Sequence, residues 1–142
     1  AVYLSDLEAE RTIVAPFLDD HRPPTRDEGF TGEPITLDSH QYDKGIVARG
    51  FTRLDFPAAG ATHFLATLGV DASAGDRADF LCSVLVDGKE AFRSGAMRTA
   101  TPPIEVNIPL RDATTISLVV DFGNSGDVDD AAVWADARLL QP

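Results

Sequence analysis

The chain has 142 residues, 44% of them hydrophobic and 25% charged, which is the size and balance of one folded domain (residues 1–142) rather than a disordered segment. Acids outnumber bases 23 to 12, and the resulting net charge of −11 excludes a nucleic-acid backbone or an anionic lipid surface as ligand while leaving neutral ligands and cations. No apolar run approaches the roughly 20 residues of a membrane helix, so no membrane insertion is expected, and the single cysteine, Cys82, permits neither an internal disulfide nor a cysteine-built zinc site.

No signal-peptide pattern opens the chain, and Ala1 stands where a start methionine would, so the sequence reads as a mature or excised piece of a longer protein. The stretch from Asp19 to Gly32, rich in Pro, Gly and charge, reads as a long loop. Beyond it the dominant period is two. Arg49, Phe51, Arg53 and Asp55 share one face of a strand, and Phe64, Ala66, Leu68 and Val70 form the apolar face of the next. Phe80, Cys82, Val84 and Val86 alternate with Asp79, Leu81, Ser83 and Leu85, and Asp87-Gly88 then predicts a type I′ hairpin turn. Ile104, Val106, Ile108 and Leu110 form another such face, as do Ile116, Leu118, Val120 and Phe122. On the last strand, strict alternation puts Trp134 with Asp136 and Arg138, opposite Val133, Ala135, Ala137 and Leu139. No long capped amphipathic helix interrupts these runs. Many short alternating strands divided by turns predict an all-β fold, an antiparallel β-sandwich or jelly roll, with function in the rim loops.

Several phrases occur in an order that resembles one family. They are Tyr3-Leu4-Ser5-Asp6-Leu7, Arg26-Asp27, and a hairpin of Pro34 to Leu37 with Tyr42-Asp43-Lys44-Gly45. Phe64 to Asp71, Val86-Asp87-Gly88-Lys89 with Ser94-Gly95, and Trp134 to Leu139 follow. Together they resemble the NPCBM domains, carbohydrate-binding module family 51. The resemblance implies a galactose-binding-like sandwich, often with a structural calcium, that binds terminal galactose or related sugars. It also implies a module fused to other domains of a bacterial glycoside hydrolase or surface protein, and hence a secreted, periplasmic or cell-surface location. Two positions depart from the family pattern: Arg49 stands where the family carries a histidine, and Ala131-Ala132-Val133 replaces a His-Ala-Asp phrase.

A sugar site needs a few orienting polar groups and an apolar surface for the ring's C–H face. Candidates for carbohydrate contact are Arg49, with Phe51 beside it, and the acids Asp127, Asp129 and Asp130 after the Gly123–Gly126 turn. Arg49 can donate paired hydrogen bonds to vicinal hydroxyls or to a carboxylate, or pair with a neighbouring acid. The three aspartates can accept from hydroxyls, hold calcium, or form a solvated turn. Trp134 is either a stacking platform or core packing. Asp6 and Asp136 are candidate calcium ligands if the terminal strands pair, with arginine pairing through Arg138 or Arg26 as the alternative. His21, His40 and His63 lack metal-ligand spacing, and no catalytic signature is present. The expected function is that of a non-catalytic carbohydrate-binding module with a glycan as its partner. The alternatives are a structural or protein-interaction sandwich that has lost sugar binding and, more remotely, a small hydrolase.

Overall fold

The computed structural model describes residues 1–15, 24–30, 32–48, 51–71, 78–122 and 131–142. The elements are β1 (Val2–Tyr3), a 3-10 turn (Leu4–Asp6), β2 (Arg11–Ala15), β3 (Thr25–Arg26), β4 (Ile35–Leu37), β5 (His40–Tyr42) and β6 (Gly45–Ala48). They continue with β7 (Phe51–Pro57), β8 (His63–Val70), β9 (Asp79–Val86), β10 (Lys89–Arg98), β11 (Ile104–Pro109), β12 (Thr115–Phe122) and β13 (Ala132–Leu140). Every pairing is antiparallel. One sheet runs β11-β8-β13-β6-β3, with β1 also on β13; the other runs β10-β9-β12-β7-β2; β4 and β5 form a separate hairpin. This is the antiparallel sandwich that the period-two runs predict.

The inner faces meet over Ile46, Leu54, Phe56, Phe64, Leu68, Phe80, Val84, Val106, Ile116, Leu118 and Trp134, all buried. Cys82, 1% exposed, packs with them as a small apolar side chain. The predicted faces of β8, β9 and β11 point into this core, as do Ile116, Leu118 and Val120 of β12. At the β9–β10 turn, Asp87 and Gly88 both have positive φ (49° and 83°), as a type I′ turn requires, and Asp87 Oδ1 accepts from the N–H groups of Thr114 and Thr115.

The last strand differs from simple alternation. Trp134 points inward, but so do Ala137 and Leu139, so the parity reverses between them. The cause is a bulge: the β13–β8 register shifts between Ala135 and Arg138, and Asp136 takes a φ of 51°. One extra residue in a strand reverses which residues face the core. The bulge also marks a change of partner, since Ala132–Ala135 pair with β6 whereas Arg138 and Leu139 pair with β1.

The β4–β5 hairpin covers the outer face of the first sheet. Ile35 and Leu37 bury themselves against Val47, Val133 and Ala135, forming a second, smaller apolar cluster. Gly45 and Gly69 make this approach possible. A Cβ on Gly45 would lie 2.9 Å from Ile35 Cδ1 and 3.1 Å from the Trp134 carbonyl oxygen, and one on Gly69 would lie 2.8 Å from Leu37 Cδ2.

Candidate functional site

The sandwich has two rims, and register places the strand ends that flank several candidates at one of them. Ala132 pairs with both Ala48 and Val70, so the ends of β6 and β8 and the start of β13 form one row. Phe51 opens β7 at the same rim, and the strand ends flanking 49–50, 72–77 and 123–130 all lie there. Arg49, Asp127, Asp129 and Asp130 themselves lie outside the described residues.

Phe51 is half-buried on the outer face of β7, with Arg53 and Asp55. Asp55 lies opposite Arg11 of β2 and Ser117 of β12 and accepts from Arg53 Nε at 3.0 Å. Burial alone would raise its pKa, but the bonds from Ser117 and Arg53 and the charges of Arg53 and Arg11 outweigh that and hold the carboxyl below its ordinary value. The outer face of the second sheet therefore carries a satisfied ion network.

Trp134 cannot be a stacking platform. It is 1% exposed within the inter-sheet core, so neither ring face reaches solvent. Nor does it share a face with Asp136 and Arg138, because the bulge separates them.

Asp6 follows β1 in the 3-10 turn, and Asp136 sits at the bulge midway along β13. Their terminal strands do pair, as the calcium reading requires. Asp6, however, is paired with a lysine. Lys44 Nζ donates to Asp6 Oδ1 and, at 2.8 Å, to Asp27 Oδ2, and it sits 5.7 Å from the centre of the Tyr3 ring. Asp27 Oδ1 accepts from the Gly45 N–H at 3.0 Å. Asp136 joins through its backbone, its N–H donating to the Lys44 carbonyl, and Arg138 donates to the Asp136 carbonyl. Burial would raise the pKa of Asp27, but the Lys44 and Gly45 hydrogen bonds and the Lys44 charge hold it below its ordinary value. Lys44 is correspondingly raised, first by its bond to Asp27 and then by that to Asp6.

Asp6 Oδ1 and both Asp27 oxygens are already bonded, to Lys44 Nζ and the Gly45 N–H, and a divalent ion beside that ammonium would meet like charge, so the Asp6–Lys44–Asp27 cluster does not fit a calcium ion. Among the described residues no three or more His, Cys, Asp or Glu side chains converge as a metal-binding group. Lys44 and Asp27 carry this cluster; both lie within family-like phrases of the sequence, where nothing marks them as partners. Neither spacing nor periodicity could reveal a contact between residues 17 positions apart.

Clefts open among the described residues. One, of about 210 Å³, lies where the edge strands β2 and β3 leave the sandwich open; Ile46, Leu54 and Phe56 floor it and Arg26 stands in its wall. Another, of about 250 Å³, lies beside the end of β8, between the β4–β5 turn and the β10–β11 connection.

Comparison with known proteins matches this arrangement. The family model for the NPCBM/NEW2 domain matches residues 1–140. A CBM51 from Clostridium perfringens GH95, solved in complex with methyl-galactose, is 28% identical over 97% of this chain and 98% of its own, with a TM-score of 0.86. The second CBM51 of Clostridium perfringens ZmpB, solved with GlcNAc together with INT domains, superposes with a TM-score of 0.88 at 24% identity, over 99% of this chain and 31% of that one. A Renibacterium salmoninarum protein bearing the name of an endo-alpha-N-acetylgalactosaminidase is 24% identical over 110 residues, 77% of this chain. The chain spans only 7% of the length of that relative. With a match over residues 1–140 and a fold shared with complete CBM51 modules, the chain belongs to the NPCBM/NEW2 family of carbohydrate-binding modules.

Proposed function

We propose that this chain binds a glycan without catalysing its cleavage, through the rim formed by the ends of β6 and β8 and the starts of β7 and β13. The observation that carries the reading is the end-to-end match, 97% of one chain on 98% of the other, to a module whose solved structure holds methyl-galactose. In this reading Arg49 supplies paired hydrogen bonds to vicinal hydroxyls or to a sugar carboxylate. Asp127, Asp129 and Asp130 accept from further hydroxyls, and Phe51 offers an apolar surface at the same rim. Among the described residues, several acids are engaged in ion pairs: Asp55 with Arg53, Asp79 with Arg98, Glu90 with Arg93, and Asp6 and Asp27 with Lys44.

A single small site of this kind binds weakly, because it exchanges hydrogen bonds to water for hydrogen bonds to protein. Its use is to raise the effective concentration of a fused partner at a glycan surface. We place the chain in a larger secreted or cell-surface bacterial protein on the same grounds. The test is calorimetric titration of wild type and Arg49→Ala with galactose, N-acetylglucosamine and galacturonic acid. The reading expects binding by wild type, and its loss in Arg49→Ala with an unchanged melting temperature. Equal binding by both proteins would remove Arg49 from the site.

A further inference from the structure

We propose that the cleft beside β8 is a second subsite, shaped for one neutral sugar ring and separate from the Arg49 contact. Three segments wall it. The β4–β5 turn supplies Asp38, the end of β8 supplies Val70, and the β10–β11 connection supplies Thr99, Thr101 and two prolines, Pro102 and Pro103.

The walls are fixed before any ligand arrives. Asp38 sits in a tight turn with a φ of 49°, held down because Leu37 is buried against the sheet at Gly69. On the other side, the Thr101 N–H donates to the Arg98 carbonyl and the Arg98 N–H donates to Thr101 Oγ1, closing a turn that the prolines extend with restricted φ. Preorganised walls spare a ligand the entropy of ordering them.

The chemistry selects the ligand class. Among the described residues that line it none carries a positive charge and Asp38 carries a negative one, which favours a neutral ligand over phosphates and acidic sugars. The Asp38 carboxylate accepts from hydroxyls. Thr101 already accepts from Arg98, which leaves its hydroxyl hydrogen to donate. Pro102, Pro103 and Val70 provide the apolar surface that a sugar's C–H face covers. At about 250 Å³ the cleft falls below the roughly 300 Å³ at which sites for larger ligands begin, so it suits one ring.

Position links this cleft to the rim. Val70, Ala132 and Ala48 lie in one row across three adjacent strands, so Val70 is roughly 10 Å from Ala48, the residue before Arg49. A glycan reaching from one to the other has more than one ring. The module would then prefer oligosaccharides with a neutral unit in the cleft over any monosaccharide.

The subsite goes beyond the rim reading and can be tested apart from it. The ¹⁵N-labelled domain is titrated with methyl-galactose, N-acetylglucosamine and N-acetyllactosamine while amide signals are followed. Binding in the cleft is expected to shift Asp38, Ser39, Val70 and Thr99–Thr101. Asp38→Asn keeps a side chain that tolerates positive φ but removes the charge; it is expected to weaken these shifts about tenfold in apparent Kd. Arg49→Ala is expected to leave them in place for a ligand that fills the cleft alone. Shifts confined to residues flanking 49–50 and 123–130, with the cleft silent, would overturn the second subsite and keep the rim. Shifts confined to the cleft would keep the subsite and overturn the rim. No shift with any of the sugars would overturn both.

Discussion

At the scale of single residues, Lys44 ties three parts of the chain together: the 3-10 turn through Asp6, the segment after β3 through Asp27, and the β13 bulge through its carbonyl. Replacing Lys44 by Met keeps the stem and removes the charge. Lys44→Met is expected to lower the melting temperature, because Asp6 and Asp27 then face each other without a counter-ion. Calcium added to wild type is expected to leave the amide signals of Asp6, Asp27 and Gly45 unmoved, and a saturable shift there would reinstate the ion. Trp134 shows the limit of identity as a guide to role. The residue type suits sugar stacking, but its place among Phe64, Phe80 and Leu68 makes it a core side chain. Trp134→Ala is expected to cost about 3–5 kcal/mol in denaturant unfolding, and a variant that unfolds normally yet loses sugar would contradict this.

At the scale of elements, the β4–β5 hairpin and the β13 bulge decide what each sheet presents. The hairpin buries the outer face of the first sheet, so Leu37→Ala is expected to destabilise by about 2–5 kcal/mol and to speed amide exchange at Val47 and Val133. Gly45→Ala pushes a methyl toward Ile35 and the Trp134 carbonyl and is expected to cost about 1–3 kcal/mol by chemical denaturation. The strands themselves were legible in the sequence, because a half-buried strand writes its burial as a period of two. β8, β9 and β11 point the way their alternation implies, and so do Ile116, Leu118 and Val120 of β12. The Asp87-Gly88 turn was legible for a similarly local reason, its need for positive φ. The last strand was not, since strict alternation assumes an unbroken pleat and Asp136 breaks it. The Lys44 cluster was not legible either, being a contact between distant segments. Residue types alone suggested the rim candidates, but the grouping of Phe51 with the strand ends around Ala48, Val70 and Ala132 required the sheet register.

At the scale of the whole molecule, the charge of −11 is partly answered by local pairing: Asp27 with Lys44, Asp55 with Arg53 and Arg11. Both aspartates titrate below the ordinary carboxyl value of 3.8 in the folded chain. Between the folded and unfolded values the unfolded chain binds more protons, so stability rises with pH there. Their contribution is therefore complete above about pH 4 and is lost as pH falls through the folded values. Melting temperature is expected to fall below that point, and Asp55→Asn to flatten the fall. A profile for Asp55→Asn that parallels wild type down to pH 2 would argue against the ion network. The same acidity repels anionic ligands over most of the surface. The most direct measurement of the central claim is a glycan array probed with the purified domain. The account predicts binding to glycans with neutral galactose-type or N-acetylhexosamine units, stronger for oligosaccharides than for single sugars. Absence of binding to every neutral and acidic glycan would contradict it and leave a sandwich that serves structure alone.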